Sequence, residues 1–161
     1  MTDRETGKGF TMIELLLVVA ILGLLISSSY GYYLGSQRSA RDGRRRTDVE
    51  TLRQTLELYR SDNTSIGYPA AQTGSTEAGV NALKNYLTPV YISAISFPKD
   101  PRYSAGWFYY YQRNPAGGGN STYRVCTLLE RPLGEDSAFA PADNPLCGQA
   151  GTICNYCMTQ P

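Results

Sequence analysis

The chain has 161 residues, four cysteines, no histidine and a formal net charge of +1. That is about one domain's length. The lack of histidine excludes Ser-His-Asp and Cys-His catalysis, and no Gly-x-x-x-x-Gly-Lys phosphate loop occurs, so nothing in the residue inventory points to an enzyme. Near-zero net charge says less than the way the charge is distributed.

The chain opens on a short polar stretch ending in Lys8-Gly9. An apolar run then extends from Phe10 to Ile26, interrupted by one carboxylate, Glu14. From Phe10 to Leu34 there are about 25 residues, roughly 37 Å of helix at 1.5 Å per residue, enough to span a bilayer. A charge at mid-bilayer costs about 2.5–3.5 kcal/mol on insertion scales. Glu14 is therefore either a functional residue or one close enough to the boundary to snorkel to the headgroups. No A-x-A-type cleavage site follows the run; Ser27-Ser28-Ser29 is the nearest approach.

The residues Lys8-Gly9-Phe10-Thr11-Met12-Ile13-Glu14, followed by an aliphatic helix, resemble the class III leader of type IV prepilins and type II secretion pseudopilins. The resemblance implies cleavage by a prepilin peptidase between Gly9 and Phe10, and N-methylation of Phe10. It implies that Glu14 meets the Phe10 amine of a neighbouring subunit during assembly of a helical homopolymer on an inner-membrane pilus or secretion platform. Physical chemistry agrees, because a buried charge is tolerated when paired. The cut falls before the apolar run, so the helix is retained. The subunit is then a single-pass membrane protein before assembly and part of an extracellular filament afterwards.

Beyond the run, Arg38, Arg41, Arg44, Arg45 and Arg46 face Asp42 alone in local sequence and read as a basic patch. Charge bias by itself would keep the carboxyl end cytoplasmic; the leader motif, as a recognition signal, takes precedence. The stretch 30–36 contains two glycines and reads as a looser segment. Gly23 and Gly31 each cost about 1 kcal/mol relative to alanine in a helix. They either permit local melting on assembly, as in related filaments, or allow close helix packing. A second helical pattern follows, with Val49, Leu52, Leu56 and Tyr59 on one face. Arg46–Glu50, Glu50–Arg53 and Arg53–Glu57 are candidate pairs on the other. That helix should end near Ser61-Asp62-Asn63, before Gly67 and Pro69.

The remaining residues read as an α+β head. A short helix is expected over 76–87, with Val80, Leu83 and Leu87 inward and Pro89 beyond its end. Phe97-Pro98-Lys99-Asp100-Pro101 forms a rigid connection. An antiparallel hairpin pairs residues 107–113 with 122–129 across the loop 114–120, its tyrosines serving as cross-strand packing. Leu58-Tyr59-Arg60-Ser61-Asp62-Asn63, Tyr68-Pro69 and Pro98-Lys99-Asp100-Pro101 resemble the major pseudopilin branch. The segments are thus a leader (1–9), a membrane and filament-core helix (10–34), its amphipathic continuation (35–63) and a head (64–161).

All four cysteines, Cys126, Cys147, Cys154 and Cys157, lie in the last quarter. An exported head suits two disulfides, for which three pairings exist; a zinc site is the rival, since Cys154 and Cys157 have ligand spacing. The disulfides are preferred, and no metal or other cofactor is assigned. Glu135, Asp136 and Asp143 lack a recognisable calcium-ligand spacing and read as solvated surface. Asn-x-Ser/Thr triplets at Asn63 and Asn120 carry little weight.

The main functional reading is a type IV pilus subunit, for which the cysteine-rich tail speaks. Its alternative is a major pseudopilin of type II secretion, for which the head motifs speak. A nucleic-acid-binding uptake subunit, drawn from residues 38–46, and a plain signal-anchored protein are the rivals from other classes.

Overall fold

A computed structural model of the chain describes residues 9–70, 78–113, 121–134, 136, 145–148 and 151–159. The chain divides between Gln37 and Arg38 into two units, and helix α1 (Met12–Asp62) contributes to both.

In the first unit, the aliphatic side chains from Phe10 to Leu34 are exposed. Among the described residues, α1 is the one helix long and apolar enough to cross a membrane. The expected loosening at 30–36 is absent: α1 is unbroken through Gly23 and Gly31. Two glycines cost about 2 kcal/mol together, whereas opening a turn in an apolar medium strands backbone groups at several kcal/mol each. Ser27, Ser28 and Ser29 stay helical too. Their hydroxyls donate to the carbonyls of Leu24 and Leu25 at 2.8–3.0 Å, so none needs a partner outside the helix.

The second unit is built on residues 38–62 of α1. Val49, Leu52 and Leu56 are fully buried, and Tyr59 nearly so, as the three-four spacing requires. Helix α2 (Ala78–Leu87) buries Leu83 and Leu87; the expected residues Thr76 and Glu77, and the side chain of Val80, lie outside the described set. Strands β1 (Tyr110–Arg113), β2 (Tyr123–Thr127) and β3 (Tyr156–Thr159) form one antiparallel sheet in the order β1-β2-β3. Tyr111 pairs with Val125, and Val125 with Met158. The core joins the α1 face to Tyr68, Leu83, Leu87, Tyr109, Tyr111, Tyr123 and Val125.

The hairpin is present, but β1 begins at Tyr110 rather than Trp107, which instead makes an isolated bridge to Gly148. A one-turn 3-10 helix, Tyr103–Ala105, precedes it and ends at Gly106, whose φ of 82° is costly for a residue with a side chain. The hairpin loop 114–120 lies outside the described residues. The architecture is α+β and pilin-like: a long amino-terminal helix packed through its second half on a small antiparallel sheet.

Candidate functional site

The amino-terminal segment and the head present separate chemistry. At the amino terminus, Gly9 and Phe10 are exposed and precede the helix, so the bond between them is in non-helical backbone. Thr11 caps α1: its Oγ1 accepts the Glu14 backbone N–H at 3.3 Å, and its carbonyl accepts that of Leu15 at 3.2 Å. Glu14 sits in the first helical turn, where the unsatisfied N–H groups favour negative charge. The pattern Thr11-Met12-Ile13-Glu14 is the Ser/Thr-x-x-Glu form that marks such a terminus. The same residues also form part of the leader motif.

In the head, the arginine stretch is not a free basic patch. Arg45 is fully buried and reaches three carboxylates. Its Nε and Nη2 donate to Asp100 at 2.8 and 3.2 Å, and its Nη1 donates to Asp42 at 2.8 Å and Glu130 at 3.1 Å. Arg41 forks onto Glu130 at 2.6 and 2.7 Å, and Arg46 meets Asp136 at 2.7 Å. Asp42 also accepts the backbone N–H groups of Glu130 and Arg131. The guanidinium groups of Arg45 and Arg102 lie 4.6 and 4.7 Å from the Trp107 ring.

These contacts join residues 41–46 of α1 to Asp100 and to the segment after β2. Burial alone would lower the Arg45 pKa, but hydrogen bonds and charge from Asp100, then Glu130 and Asp42, raise it instead. Glu130 is held down at about 2, chiefly by its hydrogen bonds from Arg41. Such fully paired charges are what a buried ionic cluster needs to be tolerated.

Two of the expected surface pairs do not form. Arg46 goes to Asp136 instead of Glu50, and Glu57 accepts the hydroxyls of Tyr68 and Tyr123 at 3.0 Å instead of pairing with Arg53. Glu50–Arg53 is present at 2.6 Å. Asp136 is buried rather than solvated; Glu135 and Asp143 lie outside the described residues. Tyr111 stacks on Tyr123 of the facing strand with ring centroids 6.5 Å apart, the expected cross-strand packing, while the hairpin hydroxyls reach other elements. Tyr111 donates to the Pro69 carbonyl at 2.9 Å and Tyr109 to Asp48 at 2.6 Å. Burial, then the neighbouring carboxylate, pushes the Tyr109 hydroxyl pKa upward.

The cysteines form two disulfides, Cys126–Cys157 and Cys147–Cys154. The first links directly opposed residues of β2 and β3; the second closes a short loop. Cys154 and Cys157, the pair with zinc-ligand spacing, belong to different bridges. Strand β3 is not among the elements the sequence predicts. Its signal is only four residues long, Tyr156–Thr159.

Residues 7–30 match a family described as "Prokaryotic N-terminal methylation motif". The Vibrio cholerae type II secretion system core protein G is 34% identical over 110 residues, covering 63% of this chain and 69% of that protein. This chain belongs to the type IV pilin and pseudopilin family. Core protein G of Aeromonas hydrophila is 29% identical over 150 residues, 93% of this chain and 90% of that protein. The Escherichia coli K12 protein is 30% identical over 106 residues, 62% and 68% respectively. No solved structure matches the chain. As in other pilins and pseudopilins, the apolar helix and methylation motif anchor the subunit in a membrane before assembly.

Proposed function

We propose that this chain is the major pseudopilin of a type II secretion filament. The observation that carries the reading is the similarity to core protein G along nine-tenths of both chains in the Aeromonas comparison. The pilus reading, taken first from the cysteine-rich tail, gives way to its alternative, because that tail is a local elaboration of a head whose overall sequence follows the secretion branch.

In this mechanism a prepilin peptidase cuts between Gly9 and Phe10 and methylates the Phe10 amine. The subunit waits in the inner membrane, with the head outside, until an assembly platform adds it to a helical homopolymer. Glu14 guides that step, since a carboxylate in an apolar medium is costly alone and stabilised beside a neighbour's ammonium. Gly23 and Gly31 are the positions where α1 gives way if the helix loosens on leaving the bilayer. The chain acts by assembly, without catalysis, cofactor or metal.

The nucleic-acid reading loses its support, because Arg41, Arg45 and Arg46 are committed to carboxylates. That leaves Arg38 and Arg44 as the exposed arginines of the stretch.

The test is a Glu14→Leu variant expressed in place of the native chain. Membrane insertion and leader removal should persist, while filaments and export of type II substrates fall to background. Normal filament yield would sink the assembly role. Intact mass fixes the processing, which requires a chain beginning at N-methylated Phe10. Long fibres in the sheared surface fraction, with secretion intact on deletion, would return the assignment to the pilus.

A further inference from the structure

The head carries a cleft of about 320 Å³ bordered by Arg44 and by the segment 94–100. Arg44, Lys84 and Lys99 supply its charge, and Ile95, Phe97 and Phe108 much of its apolar surface. Asp100 also borders it, but its side chain is only 1% exposed and engaged by Arg45. Arg44 has Asp48 at 3.8 Å, and Asp48 is already hydrogen-bonded to Tyr109. Lys99 rests 3.5 Å from the centre of the Tyr103 ring. Among the described residues, neither lysine is in an ion pair. Ile95 stands beside them 97% exposed. The cleft therefore couples uncompensated positive charge to an apolar floor.

We propose that this cleft docks an acidic peptide segment of a different protein, one in which carboxylates flank an aromatic or aliphatic side chain. The charge pattern selects the acid, and the floor of Phe97 and Phe108 selects the apolar neighbour. A second copy of this chain is poorly equipped to fill it. Among the described residues of the head, Asp42, Asp48, Glu50, Glu57, Asp100, Glu130 and Asp136 all have internal partners. Asp62 is exposed but takes the Tyr91 hydroxyl. This inference stands apart from which filament the subunit builds.

The test uses the full chain in neutral detergent micelles with a fluorescein-labelled peptide, Glu-Phe-Asp-Leu-Glu, read by fluorescence anisotropy. Saturable binding is expected. It should weaken roughly tenfold in a Lys84→Gln, Lys99→Gln double variant, as two lost surface charge contacts imply. It should weaken further between about 50 mM and about 300 mM salt. The Gln-Phe-Asn-Leu-Gln isostere should not bind, and Glu-Gly-Asp-Gly-Glu should bind about tenfold more weakly for want of its apolar side chains. Emission from Trp107 checks that the variant is folded.

Absence of saturable binding, binding unchanged in the double variant, or equal binding of either control peptide would overturn the proposal. Self-association that is lost in the double variant, without peptide binding, would assign the cleft to a second copy instead.

Discussion

Replacing Arg45 by methionine removes a side chain that touches three carboxylates, and the cost can be traced group by group. Asp42 keeps two backbone N–H donors, from Glu130 and Arg131. Glu130 keeps the fork from Arg41. Asp100 keeps only the Arg102 backbone N–H at 2.7 Å, so the damage concentrates there. Breaking a buried ion pair from one side costs about 3–5 kcal/mol. Two of the three acids retain partners, which places the ionic loss near the low end, at about 3 kcal/mol. The lost cation–π contact with Trp107 adds about 0.5–1 kcal/mol. With a urea slope of roughly 1.5 kcal/mol/M for a head of this size, the midpoint should drop by about 2.5 M. Trp107 is the chain's single tryptophan, so its emission in the micelle-bound full chain reports unfolding from within the cluster. Adding Asp100→Asn should restore about half the loss, since the stranded charge is gone. A midpoint shift below about 0.5 M for Arg45→Met, or no rescue by the second substitution, would refute the reasoning.

The other expectations concern acid and thiol chemistry. Glu130 has its pKa depressed from 4.5 to about 2, so its stabilisation is full above pH 4.5 and lost as pH falls toward 2. The shift corresponds to roughly 1–3 kcal/mol once partial solvent screening is allowed for. Asp48, raised mainly by burial, acts in the opposite sense. A thermal midpoint that declines across this window in the native chain, and less steeply in Glu130→Gln, is the expected outcome. Matching slopes would exclude Glu130 as the source. The disulfides should differ in worth because they close loops of different length, with sequence separations of 31 and 7. Chain entropy gives about 3.7 kcal/mol for Cys126–Cys157 and about 2.4 kcal/mol for Cys147–Cys154. Paired Cys→Ser variants compared by urea unfolding should keep that order, and the reverse order would contradict it.

What could be read from the chain, and what could not, follows from the reach of each interaction. The face of Val49, Leu52, Leu56 and Tyr59 repeats within a few helical turns, so burial of that face was legible. The same holds for the end of α1 at Asp62 and for Glu50–Arg53, where partners lie three residues apart. Arg46 shows where this local logic stops. Glu50 lies four residues away, yet Arg46 pairs with Asp136, ninety positions later. A surface pair on a helix is worth only about 0.3–0.5 kcal/mol, so a less exposed carboxylate brought close by the fold wins easily. Arg45 obeys the same rule, because its partners Asp100 and Glu130 are 55 and 85 residues distant. The cysteine pairing was undetermined for a related reason. Three connectivities satisfy the count, and only the register that sets Cys126 opposite Cys157 decides among them. That register exists because β3 forms, and four residues of strand carry too little periodicity to announce themselves. Three of the arginines that look like a basic patch in the sequence, Arg41, Arg45 and Arg46, thus become the internal fastening of the head. Lys84 and Lys99, in no ion pair among the described residues, border one cleft, although the sequence sets them in a short helix and a proline-flanked turn and gives no reason to connect them.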